Sequence, residues 1–148
     1  QQFGFMQVLD LGDKFDTSNV KNMNGMFLQT GTQSMTSLNL GDKFDTSNVT
    51  DMSNMFAQTG YKAMTSLDLG DKFDTRNVTN MYGMFSGTGI TAMTSLDLGP
   101  AFTKIADENI IINSVFLFPF PDWSFATPWG ITTLTCLTSD AKFVTVNA

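Results

Sequence analysis

The sequence predicts an α/β solenoid in which each repeated unit supplies one short parallel strand and one short helix, closed by a C-terminal β-rich cap. The first observation is a phrase that recurs at a constant step of 29 residues, starting at Leu9, Leu38, Leu67 and Leu96. The second is that each unit changes from alternating to helical spacing of its apolar residues. The third is that this pattern stops after Phe102. Repeat periods of about 20 to 50 residues are typical of stacked architectures in which each unit covers its neighbour.

The strand prediction comes from the start of each unit, which reads "MTSLNLGDKF" from Met35 to Phe44 in the second copy. Met35, Leu38 and Leu40 fit the leucine-rich template L-x-x-L-x-L and are expected to point inward. Ser37 and Asn39 alternate with them and are expected to point outward. The segment therefore predicts a short strand in a unit of leucine-rich-repeat type.

The helix prediction comes from the second half of the unit. Val49, Met52, Met55 and Phe56 recur with the spacing of one helix face over about two turns. The preceding "DTSN", residues 45–48, offers side-chain oxygens that can accept hydrogen bonds from the first free amides of a helix. Each unit is therefore predicted to be strand, turn, capped helix and turn.

All ten methionines of the chain fall in this repeated register. Methionine is unbranched and fills irregular gaps, so the pattern favours a core role over a methionine-rich binding groove. A single unit buries too little apolar surface to offset the entropy of ordering its backbone. Neighbouring units should therefore cover one another, and the strands that hold Leu38 and Leu67 are expected to lie in one sheet.

The ends of the repeat set the predicted domain boundaries: a solenoid over residues 1–104 and a capping segment over residues 105–148. Met6 takes the place that Met35 holds in the next unit, so further copies are expected upstream in a longer chain. The capping segment alternates short apolar runs with prolines and glycine, which is typical of strands and turns. Its aromatic stretch, Phe118–Gly130, is predicted to cover the end of the core rather than to bind sugars or peptides, and Cys136 is predicted to be a small buried side chain.

Composition excludes several classes of function. A net charge of −6 and a pI near 4.2 disfavour a nucleic-acid partner. No run of eighteen apolar residues is present to cross a membrane. Without histidine and with a single cysteine, the chain has neither a histidine-based catalytic triad nor the usual zinc ligands. We therefore expect no enzyme activity, no cofactor, no metal site and no membrane insertion.

The candidate binding residues are those expected to point outward from the strands. They are Asp10, Asn39, Asp68 and Asp97, with Ser37, Ser66 and Ser95 beside them. Neighbouring rungs of a sheet lie about 4.8 Å apart, so carboxylates on adjacent rungs repel each other. Three partners can relieve this repulsion: the repeated lysines Lys14, Lys43 and Lys72, a bound cation, or a basic protein surface. The lysines are favoured over a cation because no unit contains a calcium loop of the EF-hand type.

The phrase "FDTSNVTDMSNMF", from Phe44 to Phe56, resembles the bacterial surface protein repeat of about 26 residues, the BspA-like or mycoplasma-type lipoprotein leucine-rich repeat. The resemblance covers Met6 to Phe102. The chain departs from the family in "LGDKF", which replaces the commoner "LSxF", and in a longer linking turn without cysteine. The resemblance implies a leucine-rich-repeat solenoid on a bacterial surface, concerned with adhesion to host cells, matrix proteins or other bacteria.

Two functional hypotheses follow from these patterns. In the first, the segment is a non-catalytic adhesion or protein-binding module, on the bacterial surface or secreted, whose strand face binds a surface protein or glycan. In the second, it is a structural spacer that presents another adhesive domain. A glycosidase-like use of Asp68 and Asp97 is the least favoured alternative. The "NVT" sequences at Asn48 and Asn77 are interpreted as helix caps rather than glycosylation sites.

Overall fold

The computed structural model describes residues 6–102, 133–137 and 143–147, the last two segments by their backbone alone. Four strands of three residues recur at the predicted step, and two longer strands follow them. The strands are β1 Val8–Asp10, β2 Ser37–Asn39, β3 Ser66–Asp68, β4 Ser95–Asp97, β5 Thr133–Leu137 and β6 Phe143–Asn147. In the described part of the chain, each unit thus begins with a strand at the position that its leucine pattern predicts.

The strands form two sheets rather than one. β1 pairs with β2 in parallel, so that Leu9 lies opposite Leu38. β3 pairs in parallel with β4, which pairs in parallel with β6, and β5 lies antiparallel on the far side of β6.

β2 and β3 do not pair, so Leu38 and Leu67 lie in different sheets. The expectation that they share a sheet is therefore wrong. Thr36 N donates to Gln7 O at 2.9 Å and Thr94 N donates to Thr65 O at 2.8 Å. Within the described residues, no equivalent bond joins Thr65 N to the unit before it. The sequences around the junction are nearly identical to those of the other units, so they carry no signal for this break.

The predicted helix is also wrong, because the described residues contain none. Residues 52–59 instead form consecutive turns. Met55 N donates to Met52 O at 3.2 Å and Ala57 N donates to Asn54 O at 3.1 Å. The amide of Phe56, which lies between these two residues, points out of the unit and donates to Met84 O of the next unit at 2.8 Å. The same alternation of bonds within and between units occurs in residues 23–30.

Backbone geometry explains why a helix does not form in these segments. A helix needs consecutive amides to reach carbonyls four residues earlier in the same segment, whereas here every second amide bonds to the next unit. Gly25 and Asn54 stand at equivalent positions with φ of 61° and 54°, in the left-handed region that ends a helix. The predicted α/β solenoid with one helix per repeat is therefore replaced by units built of a short strand and successive turns.

The predicted inward side chains nevertheless form the core. Met52, Met55 and Phe56 are all fully buried, and Leu38 and Leu67 are 6% and 2% exposed. In these consecutive turns, the amides bond alternately within the unit and to the next unit, and the apolar side chains lie on the core side. Their spacing in the sequence is therefore the same as that of one helix face. The prediction was right about burial and wrong about the element that produces it.

Phenylalanines form two columns that run through the units, and all of them except Phe15 are buried. One column contains Phe15, Phe44, Phe73 and Phe102, with successive ring centroids 6.5, 6.4 and 6.1 Å apart. The other contains Phe27, Phe56 and Phe85, with centroids 5.3 and 5.4 Å apart. Each ring therefore contacts its equivalent in the next unit.

The C-terminal segment contributes β6, which pairs with the last strand of the repeats through Ser95 opposite Thr145 and Asp97 opposite Asn147. The predicted boundary between residues 104 and 105, the aromatic stretch Phe118–Gly130 and the side chain of Cys136 lie outside the described residues. Within the described ranges, no helix is long and apolar enough to cross a bilayer.

Candidate functional site

The predicted binding residues lie on the strands, beside a leucine that is buried in β2, β3 and β4 and half-buried in β1. Ser66 and Asp68 are exposed while Leu67 between them is buried, and the same holds for Ser37 and Asn39 around Leu38. In β4, Asp97 is exposed and Ser95 is half-buried. In β1, Asp10 is exposed. All seven side chains therefore occupy the strand side opposite the core.

We call these seven outward-facing side chains the ladder. The interruption between β2 and β3 divides the ladder into one set on β1 and β2 and another on β3 and β4. Asp10 lies opposite Asn39 in the first sheet. Asp68 lies opposite Asp97 in the second, with Ser66 opposite Ser95. Among the predicted binding residues, two carboxylates therefore lie opposite each other on β3 and β4, where the paired serines flank them.

The Asp and Asn side chains of the ladder also each close a turn, which sequence reasoning missed. The Oδ1 atoms of Asp68 and Asp97 accept hydrogen bonds from the amides of Gly70 and Gly99, at 2.8 and 2.9 Å. Asn39 accepts the same bond from Gly41 N at 3.0 Å. An Asp or Asn two residues before a glycine is the ordinary signature of an Asx turn, so the sequence did contain this signal. The recurrence of these residues thus has a structural cause.

Two further sets of Asx turns recur in each of the first three units. In the first, residues 16, 45 and 74 accept the amide two positions on, as in Asp45 Oδ1 with Ser47 N at 2.8 Å. In the second, residues 22, 51 and 80 do the same, as in Asp51 Oδ1 with Ser53 N at 2.9 Å. The acids in "DTSN", which the sequence assigned to a helix cap, therefore close turns instead.

The repeated lysines do not pair with the ladder carboxylates. Among the described residues, the ion pair within 4.0 Å joins Arg76 Nη2 to Asp74 Oδ2 at 2.6 Å. Lys43 and Lys72 act more weakly on Asp16, whose pKa is lowered mainly by hydrogen bonds from the amide and hydroxyl of Ser18. The sequence favoured the repeated lysines as the groups that relieve the repulsion between ladder carboxylates. In the described part of the chain, no lysine forms an ion pair with Asp68 or Asp97.

Exposed polar side chains join one unit to the next elsewhere on the surface. Gln29 Nε2 donates to Gln58 Oε1 at 3.0 Å, and Lys62 Nζ donates to Gln33 Oε1 at 2.6 Å. Asn48 Nδ2 donates to Ser18 O at 2.7 Å, and Asn77 makes the equivalent bond in the following unit. The "NVT" asparagines were interpreted as helix caps, which is wrong, because they bind the carbonyl of the preceding unit.

No cluster of three or more acidic, histidine or cysteine side chains that could hold a metal ion occurs in residues 6–102 or in the two C-terminal strands that the structure describes. The chemistry that the exposed ladder offers is therefore that of adjacent carboxylates and hydroxyls on a strand surface: they attract positive charge and accept hydrogen bonds.

Comparison with protein families gives one match. A family model described as "Mycoplasma protein of unknown function, DUF285" matches residues 3–95, which include the whole of the first three units and the start of the fourth. Neither the curated proteins nor the solved structures contain a significant match.

Proposed function

The chain belongs to the DUF285 family of Mycoplasma proteins, and we propose that it is a non-catalytic bacterial surface repeat module that binds a positively charged protein. The proposed binding surface is the outer side of β3 and β4. The proposed location, on the cell surface or secreted within a longer chain, follows from the resemblance to mycoplasma-type surface repeats.

The observation that carries this proposal is the pair Asp68 and Asp97. They lie opposite each other on neighbouring parallel strands and both are exposed. Like charges in directly opposed positions destabilise a sheet. No lysine or arginine of the described residues lies within 4.0 Å of either carboxylate. A basic partner surface would relieve this repulsion, which makes the pair a favourable contact for positive charge.

The neighbouring serines support the same interpretation. Ser66 and Ser95 lie opposite each other and place neutral hydroxyl groups beside the two carboxylates. A strand surface that offers hydroxyl and carboxylate groups suits a protein contact in which charges and hydrogen bonds are matched across the surface. We propose Ser66, Asp68, Ser95 and Asp97 as its centre, with Ser37, Asn39 and Asp10 on the separate first sheet.

A specific observation also favours the spacer function. The four Asp and Asn residues of the ladder each close an Asx turn, and exposed side chains such as Gln29 and Gln58 bond across units. These roles explain the recurrence of the polar residues without any ligand. In this second candidate function, the units serve as a scaffold that holds another domain at a distance.

Binding measurements on the double variant Asp68→Asn/Asp97→Asn distinguish the two functions. Asparagine keeps the Oδ1 acceptor of the turn, as Asn39 does naturally, and removes only the charge. The probes are an array of lysine- and arginine-rich peptides and immobilised matrix proteins, each at about 50 and 300 mM NaCl. The binding function predicts that the natural chain binds more strongly at low salt and that the double variant loses this binding.

The matched control is Asp42→Asn/Asp71→Asn, which removes two exposed carboxylates outside the strands. Equal loss of binding in both double variants would indicate attraction by net charge alone and would contradict the proposed surface. Absence of binding by the natural chain to every probe would favour the spacer function.

A further inference from the structure

We propose that the interface between the second unit, residues 35–63, and the third unit, residues 64–92, is a hinge that opens and closes along the strands. Residues 6–63 and 64–102 then move as two rigid bodies. The interface has a strand side, formed by β2 and β3, and a turn side, formed by the consecutive turns, or turn runs, such as residues 52–59. The inference concerns the motion of the two sheets rather than what they bind, so it goes beyond the proposed function.

Main-chain hydrogen bonds that close the strand side elsewhere are absent at this interface. The amides of Leu11 and Leu69 donate to carbonyls of the following unit at 3.0 and 2.9 Å. Leu40 is the equivalent residue of the second unit. Among the residues that the structure describes, its amide donates to no carbonyl of the third unit. Because the bond from Thr65 N is absent as well, the interface lacks a hydrogen bond at both ends of the strands.

A side-chain hydrogen bond follows the same pattern. The hydroxyl groups of Thr36 and Thr94 each donate to a carbonyl of the preceding unit at 3.2 Å. Thr65 occupies the equivalent position, and within residues 6–102 its hydroxyl makes no such bond. The threonines of this position therefore join the first unit to the second and the third to the fourth, but not the second to the third.

The glycines that follow the strands show the same separation. A Cβ built on Gly41 would overlap the carbonyl of Gly12, and one built on Gly99 would overlap the carbonyl of Gly70. A Cβ built on Gly70 would meet nothing within 4 Å. The carbonyl of Gly41 therefore lies farther from Gly70 than the equivalent carbonyls lie from the next glycine along the units.

The turn side of the same interface is fully joined. The amides of Asn54, Phe56 and Gln58 donate to carbonyls of the third unit at 2.7 to 2.8 Å. The rings of Phe44 and Phe73 are stacked with centroids 6.4 Å apart, close to the values at the neighbouring interfaces. The second and third units are therefore held together through the core and the turn runs, while their strands are not bonded to each other.

This one-sided attachment determines where the chain bends. Rotation about the turn side would break strand pairing between β1 and β2 or between β3 and β4. No strand pairing among the described residues opposes the same rotation between β2 and β3. Segments with few main-chain hydrogen bonds open at the lowest free-energy cost, and a hinge absorbs the rotation between two packed bodies at a few positions. The interface between the second and third units therefore has the properties of a hinge.

The test on the natural full-length chain compares residual dipolar couplings of the amides in residues 6–63 with those in residues 64–102. Two parts of one rigid body share a single alignment. Two parts that move relative to each other on the microsecond-to-millisecond timescale of hinge motion do not. We expect alignments of different magnitude in the two parts. Equal alignments, reproduced by this one structure, would overturn the inference.

A disulfide across the strand side should lock the hinge. The locking variant is Ser37→Cys/Ser66→Cys, at equivalent positions of β2 and β3. The control is Ser66→Cys/Ser95→Cys, at positions that already lie opposite each other in the second sheet. Both variants also carry Cys136→Ser, so that no third thiol is present. Paired strands lie about 4.8 Å apart, which is within the range of Cα separations that a disulfide spans.

The oxidised locking variant should show equal alignments in the two parts. Hydrogen exchange at the amides of Leu40 and Thr65 should be about tenfold or more slower than in the oxidised control. Unequal alignments that persist in the locked chain would assign the motion to another place and overturn the inference. Failure of the locking pair to oxidise under conditions that link the control pair would also overturn it, because a hinge must close as well as open.

Discussion

The rings of Phe56 and Phe85 lie parallel, with centroids 5.4 Å apart and an angle of 3° between their planes. They belong to the second and third units, between which β2 and β3 fall in separate sheets. Side-chain stacking and the amides of the turn runs therefore join the units at the place where strand pairing does not.

Phe56→Ala should be among the most destabilising substitutions in the chain. The ring is fully buried and stacks on Phe27 at 5.3 Å and on Phe85 at 5.4 Å. Truncating a buried phenylalanine to alanine lowers the free energy of unfolding by about 3 to 5 kcal/mol. Urea denaturation monitored by circular dichroism measures the change. Phe15→Ala is the matched control, because Phe15 also stacks on a phenylalanine but is 41% exposed. An equal loss in both variants would contradict the importance of burial on two sides.

Gly99→Ala should destabilise the chain more than Gly70→Ala. Both glycines have positive φ, 73° and 75°, so alanine incurs backbone strain of about 1 to 2 kcal/mol at either position. A Cβ at Gly99 would in addition overlap the carbonyl of Gly70, whereas one at Gly70 meets nothing within 4 Å. The two glycines differ because β4 pairs with β3, whereas β3 does not pair with β2. Comparison of urea midpoints tests it, and identical midpoints would mean that β3 lies as close to β2 as to β4.

Thr46→Val should lower stability through the loss of one buried hydrogen bond between units. Thr46 is fully buried, and its hydroxyl donates to Asp74 O at 2.8 Å. Valine keeps the shape and leaves that carbonyl without its donor, at a cost of about 1 to 3 kcal/mol. The control is Thr50→Val, since the exposed Thr50 hydroxyl donates to Lys21 O at 3.1 Å and water can replace it. Its expected effect is within about 0.5 kcal/mol. A larger effect at Thr50 than at Thr46 would refute this reasoning.

Arg76→Ser should change the dependence of stability on pH. Hydrogen bonds from the Arg76 side chain are the main cause that lowers the pKa of Asp74 below its ordinary value of 3.8. A carboxyl with a lower pKa in the folded state stabilises that state at neutral pH. This stabilisation is lost as the pH falls through the folded-state pKa.

Serine is the residue at the equivalent positions 18 and 47, so the variant restores the sequence of the other units. The Arg76 side chain is 72% exposed, so screening by solvent keeps the expected loss of stability at pH 7 small. The difference between variant and natural chain should shrink as the pH is lowered from about 5 to 2. Urea unfolding at several pH values measures it, and a difference that widens in acid would contradict the assigned role of Arg76.

Much of the core was predictable because a repeated phrase fixes which residues are equivalent. The period of 29 residues and the alternation around Leu38 and Leu67 correctly located the strands and the buried leucines. The outward positions of Asp68 and Asp97 followed from the same alternation. Their turns with Gly70 and Gly99 were also readable from the sequence, as an Asx residue two positions before a glycine.

The helix could not be distinguished from a run of turns by apolar spacing alone. Val49, Met52, Met55 and Phe56 are buried in either case, since both structures turn these residues to one side. Gly25 interrupts the equivalent segment in the first unit and was the available warning. In the second unit, however, Asn54 adopts the same left-handed backbone conformation. The sequence pattern does not predict this conformation at an asparagine.

The amino-acid order by itself determined the period, the inward side chains and the acidic strand face, because these depend on local alternation and on identity between copies. The tertiary structure alone decided where each amide finds its acceptor. Every second amide of residues 52–59 bonds to a neighbouring unit rather than within its own segment, and that choice replaces the helix with turns. It also divides the strands into two sheets between β2 and β3, because pairing between units depends on their relative positions, which no single unit encodes.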